Sequence, residues 1–384
     1  MNILSYLRKY GDRTFGELPF NEVDAGILAE LSYVNFDLVA PTLDRPKSRM
    51  LKLHRLVMED WKSMYRGSVD SVSNARMVTL MKKSRRFRDC KIGFCQNLFD
   101  KEQIRQFFAM TIFLPNGEAY VSFRGTDTSL LGWREDFEIT YKDAIPSQIQ
   151  SVEYIRQIAP YLPERFYLGG HSKGGNLAAY AALNMGEELE GRVIRVYSFD
   201  GPGFRTPVTG MASYQRLRPK LSKFLTKNDV IGLVYNVSEN TRIVVSTGLM
   251  FGGHDIFMWK IKRDAPEFKT VPKVNSTSRR NAWKLMKWLN SMSASDKELL
   301  VNFLFHVFER RENVFEFIVF GPRDLIEVPK VLRQYSEQER KRLKKMLFLL
   351  ADSFLRPDKG NQRRPEEPNP PSREELASSS SVTQ

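Results

Sequence analysis

The chain is short of the side chains that most often do chemistry. Among 384 residues there are four histidines and two cysteines. Two thiols, Cys90 and Cys95, cannot build a disulfide framework, and with no histidine beside them they do not complete a metal site. Unpaired thiols fit a reducing cytoplasm. No apolar run is long enough to span a bilayer. The N-terminal MNILSYLRKYGDRTF lacks an apolar h-region and a small-residue cleavage site, which predicts no secretory signal. Lipidation signals and internal repeats are also missing.

Acids are outnumbered, 45 against 59 Lys/Arg, and the chain carries a formal net charge of +14. The excess is local. Residues 46–92 hold thirteen Lys/Arg against four acids, and residues 205–227 hold six and none. Such a surface attracts anions through its field. Without a nucleic-acid motif it predicts no nucleic-acid partner, and at most weak contact of residues 46–92 with an anionic membrane. The plainer reading of this segment is a solvated basic face.

Hydrophobic residues make up 42% and aromatics 12%, enough for a sizeable core. Asn21-Glu22-Val23-Asp24 reads as a capping box, and Val23, Ile27, Leu31 and Val34 follow at helical spacing. Residues 46–68 and 74–83 also read as helical. Residues 1–100 are therefore expected to form a helical cover integrated with the core. Strands begin with Gln106–Leu114, turn at Asn116-Gly117 and return as Ala119–Phe123. A loop with Trp133 follows, then a helix around Gln148–Ala159 with Ile149, Val152, Ile155 and Ile158 on one side. Further strands are expected at Phe166–Leu168, Val193–Phe199, Lys223–Thr226 and Arg242–Ser246. Strands alternating with helices over residues 101–275 predict a mostly parallel sheet covered on both faces. Residues 276–355 read as helices packed on that core, with capping boxes at Ser295/Glu298 and Ser336/Glu339. The Pro-, Glu- and Ser-rich tail, 356–384, is expected to be disordered.

The chemistry is expected at Gly170-His171-Ser172-Lys173-Gly174. Three fixed residues occur by chance, but a strand before them and an alanine-rich helix after them make a nucleophile elbow. A serine on such a turn has its Oγ pushed clear of the backbone, and the helix N-terminus offers N–H groups to an oxyanion. Serine needs a general base, usually a histidine oriented by a carboxylate. His54 and His306 read as structural. The side chain of His171 leaves the turn in another direction. His254, in the loop Phe251-Gly252-Gly253-His254-Asp255, remains. Asp255 is too close in sequence to orient its ring. Asp200 and Asp229 both follow strands between Ser172 and His254, and the chain order Ser, Asp/Glu, His favours Asp229 as the one after the later strand. Gly201-Pro202-Gly203 suggests a tight turn in which Asp200 caps backbone N–H groups.

The pieces FRGTD, GHSKGGNLA, SFDGPGF, KNDVIGLV and GGHDIFMW, in that order, resemble the Mbeg-like hydrolases, long described as a domain of unknown function and similar to the class 3 (fungal-type) lipases. The resemblance spans roughly residues 2–350. It implies an α/β-hydrolase fold with Ser172 as nucleophile, Asp229 as acid and His254 as base. It implies oxyanion donors at Thr126, through N–H and hydroxyl, and at the N–H of Lys173. Lys173 itself stands where secreted lipases usually carry an apolar residue. The expected activity is hydrolysis of a small-molecule or lipid carboxylic ester in the cytoplasm, without metal or cofactor. The other readings are a non-catalytic binding module on the same fold and a basic peripheral membrane or nucleic-acid binder. Oligomeric state is not legible.

Overall fold

The computed structural model describes residues 1–44, 50–57, 61–236, 240–248, 250–308 and 322–355. The tail from residue 356 lies outside them. One sheet organises the chain. Its strands are β1 Leu51–Lys52, β2 Lys91–Asp100, β3 Arg105–Phe113, β4 Ala119–Phe123, β5 Phe166–His171, β6 Val193–Phe199, β7 Leu221–Thr226, β8 Thr241–Val244 and β9 Thr270–Val271, and they lie side by side in that order. β4 through β8 are parallel, while β1–β4 and β8–β9 pair antiparallel. The helices are α1 Ile3–Tyr10, α2 Glu22–Leu31, α3 Trp61–Met64, α4 Ser71–Lys83, α5 Leu130–Glu138, α6 Pro146–Ile158, α7 Lys173–Asn184, α8 Glu187–Arg192, α9 Ala212–Leu217, α10 Ser276–Asn290, α11 Ala294–Phe308, α12 Pro322–Leu332 and α13 Glu337–Leu355. This is an α/β-hydrolase fold.

Alternation along the central strands explains why both faces are covered. On β4 and β5, Ala119, Val121, Phe123, Phe166 and Leu168 join a core with Leu177, Ala178 and Ala181 of α7 and with Tyr154 and Ile155 of α6. The intervening Tyr120 and Tyr167 join the opposite core with Ile27, Leu28 and Leu31 of α2. The hydroxyl of Ser122, on that same face, donates to the Leu28 carbonyl at 2.9 Å. Each strand therefore has two buried faces. A third cluster, including Trp288, Leu300, Phe303 and Leu343, is the core of the C-terminal helices.

Several local expectations need correcting. Residues 46–68 are not a helix: their described part runs from β1 through a 3₁₀ turn carrying His54 to the short α3. The ten-residue β2 joins the sheet, so its antiparallel side starts earlier in the chain than expected. The Trp133 region is α5 and not a loop, capped by the Ser129 side chain. On α6, Val152, Ile155 and Ile158 are buried, whereas Ile149 is exposed. The cap near α11 is Ser293 with Asp296, two residues before the pair expected. The boxes Asn21/Asp24 and Ser336/Glu339 form as the spacing predicts.

The N-terminal cover is fastened by charge. Asp24 and Arg86 are both fully buried and joined by two hydrogen bonds, from Nε to Oδ1 at 2.8 Å and from Nη2 to Oδ2. The guanidinium also donates to the carbonyls of Arg13, Thr14, Leu18 and Pro19 and stacks on Phe15. One basic residue of the 46–92 segment is thus an interior clamp and not part of a solvated face. Breaking a buried pair leaves an uncompensated charge, so Arg86→Ala should lose about 3–5 kcal/mol. Arg86→Lys should recover little, because an ammonium lacks the planar fork. Urea denaturation of the two variants checks both outcomes.

Candidate active site

Five parallel strands end at one edge of the sheet, and each delivers a piece of the site there. Thr126 follows β4, Ser172 follows β5, Asp200 follows β6, Asp229 follows β7 and His254 lies in the loop after β8.

Ser172 sits between β5 and α7 with φ 56° and ψ −131°. An L-residue with that φ is strained. It is held by its own N–H donating to the Phe199 carbonyl at 2.8 Å and by its carbonyl accepting from Gly175 at 2.9 Å. Close packing demands the surrounding glycines. A Cβ on Gly174 would stand 2.1 Å from the Phe123 carbonyl oxygen, and one on Gly125 would stand 2.6 Å from the His171 carbonyl oxygen. The FRGTD turn and the elbow therefore pack backbone against backbone. This sets the chain leading into Thr126 against the elbow turn ahead of Lys173.

The Thr126 hydroxyl is otherwise engaged. It donates to Asp136 Oδ2 at 2.5 Å, so its proton points away from any oxyanion while that carboxylate is ionised. Burial pushes the Asp136 carboxyl up to about 6. The N–H of Thr126 is thus the better candidate donor of the two groups expected there.

His254 brings the two candidate acids together. Its Nδ1 lies 3.0 Å from Asp200 Oδ2, with hydrogen-bond geometry, and 3.2 Å from Asp229 Oδ2. Its Nε2 is buried and has no partner among the described residues. Asp229 also accepts the Ile231 N–H at 3.0 Å. Asp200, itself at φ 52°, accepts from the Thr226 N–H at 3.3 Å and from the Thr226 hydroxyl at 3.1 Å. The sequence predicts that Asp200 caps N–H groups of the Gly201-Pro202-Gly203 turn; its carboxylate instead bonds Thr226 on the neighbouring strand and the imidazole of His254, because the strained backbone turns it towards β7. Chain order does not separate the acids, because β6 and β7 are neighbours and both carboxylates reach one nitrogen.

The electrostatics follow from that crowding. Burial and the nearby Asp229 charge raise the Asp200 carboxyl. Burial also acts against the Asp229 anion, but the His254 charge and hydrogen bond outweigh it and hold that carboxyl below its ordinary value. For His254 burial pulls downward, yet the Asp229 charge and the bonds to both carboxylates raise it to about 10. The ligand atoms of these three groups lie within 4.8 Å of one another, a spacing that could also hold a metal ion.

The remaining histidines are placed as follows. His171 Nε2–H donates to the His254 carbonyl at 2.9 Å, and the two rings lie 4.6 Å apart. Burial drives His171 down to about 3, so it stays neutral. It is a prop under the His254 loop, as is the Trp259 indole, which donates to the Gly253 carbonyl at 3.2 Å. His54 bonds the Arg88 carbonyl, His306 bonds the Tyr335 hydroxyl, and Asp255 caps the Phe257 N–H.

Sequence reading missed Glu135, Asp136, Gln106 and the prop role of His171. Lys173 carried the signal. It is 1% exposed, and its Nζ bonds Glu135 Oε2 at 2.9 Å, Gln106 Oε1 at 2.8 Å and the Gln106 carbonyl at 2.9 Å. Burial opposes its charge, but Glu135 and Asp136 raise its pKa. A cation directly after an elbow serine must be buried and therefore needs an acid, and α5 supplies it. Lys173→Met would leave the buried Glu135 without its counter-charge, bonded only to the Gln106 and Ser147 amides, so it should cost about 3–5 kcal/mol, readable as a drop in Tm.

M37 lipase is 14% identical, with a TM-score of 0.37, covering 56% of this chain and 71% of that one. Rhizomucor miehei lipase in its propeptide complex is 14% identical, with a TM-score of 0.36, covering 64% of this chain and 68% of that one. Curated proteins yield no match to the sequence. Residues 81–306, more than half of the chain, match the family described as Mbeg1-like, and the chain belongs to that family.

Proposed function

We propose that the chain is a cytoplasmic serine hydrolase of carboxylic esters. One observation carries the reading: Ser172 stands at φ 56° on the elbow, and both it and His254, with its unpartnered Nε2, line one cavity. Strain of about 1–3 kcal/mol at one residue is kept where function uses it. Buried and unpaired Cys90 and Cys95 fit the reducing setting. Among the described residues no helix is long and apolar enough to cross a membrane.

In this reaction Ser172 Oγ attacks the ester carbonyl carbon as its proton passes to His254 Nε2. The carbonyl π electrons move to oxygen, where the amides of Thr126 and Lys173 meet the developing charge. Collapse of the tetrahedral intermediate breaks the C–O bond, and the alkoxide leaves with the proton from Nε2. Water then attacks the acyl-enzyme, giving its proton to His254. Breakdown releases the carboxylic acid and returns a proton to Ser172. Asp229 and Asp200 hold the Nδ1–H throughout and stabilise the imidazolium.

A fluorophosphonate probe should label Ser172, and Ser172→Ala should abolish both labelling and ester hydrolysis without a shift in Tm. Robust hydrolysis by the alanine variant would sink the reading, since the oxyanion effect alone leaves a small residue. Activity should survive EDTA.

The acids make a second prediction. His254 must be neutral to accept a proton, and its pKa is raised to about 10. The acid limb of kcat/KM should therefore lie well above the ordinary imidazole value of about 6.5. Removing a carboxylate lowers that pKa, so Asp200→Asn and Asp229→Asn should each move the limb to lower pH, the second further. On the alkaline plateau each single change should cost roughly ten- to a hundredfold, because one carboxylate still holds Nδ1–H. The double variant should lose about a thousandfold or more. A single variant as damaged as the double would assign the role to one acid alone.

A further inference from the structure

The cavity that Ser172 opens into is roofed by the C-terminal helices. Its volume is about 320 Å³. On the floor lie Ser172, Thr126 and His254, and Trp133 and Phe137 of α5 form one wall. The roof comes from Leu285, Trp288 and Leu289 of α10 and from Leu300, Val301 and Leu304 of α11.

The roof is anchored at several independent points. Arg134 of α5 donates to Asn302 Oδ1 at 2.8 Å, and Lys297 donates to the Thr140 carbonyl at 3.0 Å. Phe137 and Phe305 meet edge to face, with ring centroids 6.0 Å apart. The Trp288 indole, which lines the cavity, donates to the Met346 carbonyl at 3.0 Å. The same helices share a buried core that includes Phe303, Val331 and Leu343. Lifting α11 would expose that core and break the ties to α5. Since α5 also carries Glu135, the partner of Lys173, the roof and the elbow are parts of one packed assembly.

The cavity is partly open to solvent, and its interior limits an occupant by volume and by polarity. At roughly 30 Å³ per non-hydrogen atom, the share of one liquid water, the space holds about ten such atoms. Most of the exposed wall is apolar, with Lys297 of α11, Thr140 and Asp70 among its polar members, so it suits a hydrocarbon chain.

We propose that this roofed cavity takes the acyl chain of single, dissolved esters of medium length, about eight to ten carbons, and that no lid has to open at a lipid surface. The inference rests on the serine hydrolase reading and narrows its substrate class. In its terms the acyl carbonyl lies at Ser172, the chain runs beneath α10 and α11, and the alcohol remains towards the mouth.

Two measurements on the full chain separate this inference from the reading below it. The first uses ethyl and decyl fluorophosphonates. In each, Ser172 Oγ bonds to phosphorus, fluoride leaves and the serine proton passes to His254. Decyl labelling of Ser172 should be at least tenfold faster than ethyl labelling. The second uses p-nitrophenyl esters from two to sixteen carbons. Their kcat/KM should peak at eight to ten carbons and fall at least tenfold towards either end. For the longer esters, rate against concentration should show no jump at the onset of micelles. Leu300→Trp, which fills the cavity, should reduce the decyl-to-ethyl ratio at least tenfold. The wild-type profile decides the matter even where that variant fails to fold. Failure of both probes to label Ser172 overturns the hydrolase reading itself. Labelling by both at equal rates, a peak at two or sixteen carbons, or a jump at micelle onset leaves that reading standing and overturns this one.

Discussion

Everything at the site depends on the backbone approach between the end of β4 and the elbow. With Gly125 and Gly174 bare, the chain after Phe123 can lie against the turn at Ser172, and no side chain could be inserted there. The positive φ of Ser172 is over-determined by this contact, by the bond from its N–H to Phe199 and by the start of α7. Strain at one residue is affordable because its neighbours on three strands have no other arrangement. The functional groups are then placed by strand order alone, since adjacent parallel strands all end at the same edge.

Lys173 shows how the polar framework is drawn into that arrangement. As the first residue of α7 it is carried inward by the elbow, and a lone ammonium there would pay a desolvation cost of several kcal/mol. Glu135 and Gln106 compensate it, which fixes α5 against β3 and α7. Fixing α5 in turn sets Asp136 beside Thr126 and Phe137 beneath the roof. A single charge adjacent to Ser172 thus ties the sheet, the FRGTD turn and the C-terminal helices together. The neighbouring polar group Asn176 does similar work one turn later, taking a bond from Gln148 and giving two to Pro202 and Gly203.

The central strands were legible in the sequence because they are apolar, short and bounded by glycine or polar turns. β4 and β6 lie where the pattern placed them, and the Asn21/Asp24 cap is the one its spacing predicts. β2 was not legible. Phe94 sits at φ 53° and the register slips between Gly93 and Gln96, so a bulge breaks the alternation that marks a strand. α5 was missed for the opposite reason to an ordinary amphipathic helix. Its buried residues are Gly132, Glu135 and Glu138, so its inward face is polar and the hydrophobic period is absent. Ser172 and His254 stood out in the sequence because glycine context and a shortage of histidines left few choices. The acid was harder, since chain order records which strand a residue follows and not how far its carboxylate reaches.

That last point has a physical consequence for how the site is built. Two carboxylates within contact of one Nδ1 repel each other, and burial strengthens the repulsion. The protein offsets it by giving each acid a separate set of donors: the Thr226 amide and hydroxyl for Asp200, the Ile231 amide for Asp229. The Asp200 backbone adopts φ 52° to present its carboxylate there, a second strained residue at the same sheet edge. With both acids ionised the imidazolium is stabilised strongly, which in the proposed reaction favours the charge formed as Ser172 loses its proton. The same stabilisation holds the resting imidazole protonated until the solution is alkaline. A second acid therefore trades availability of the base near neutrality against stabilisation of the ion pair formed on attack, and the balance shifts with the proton that Asp200 retains as pH falls.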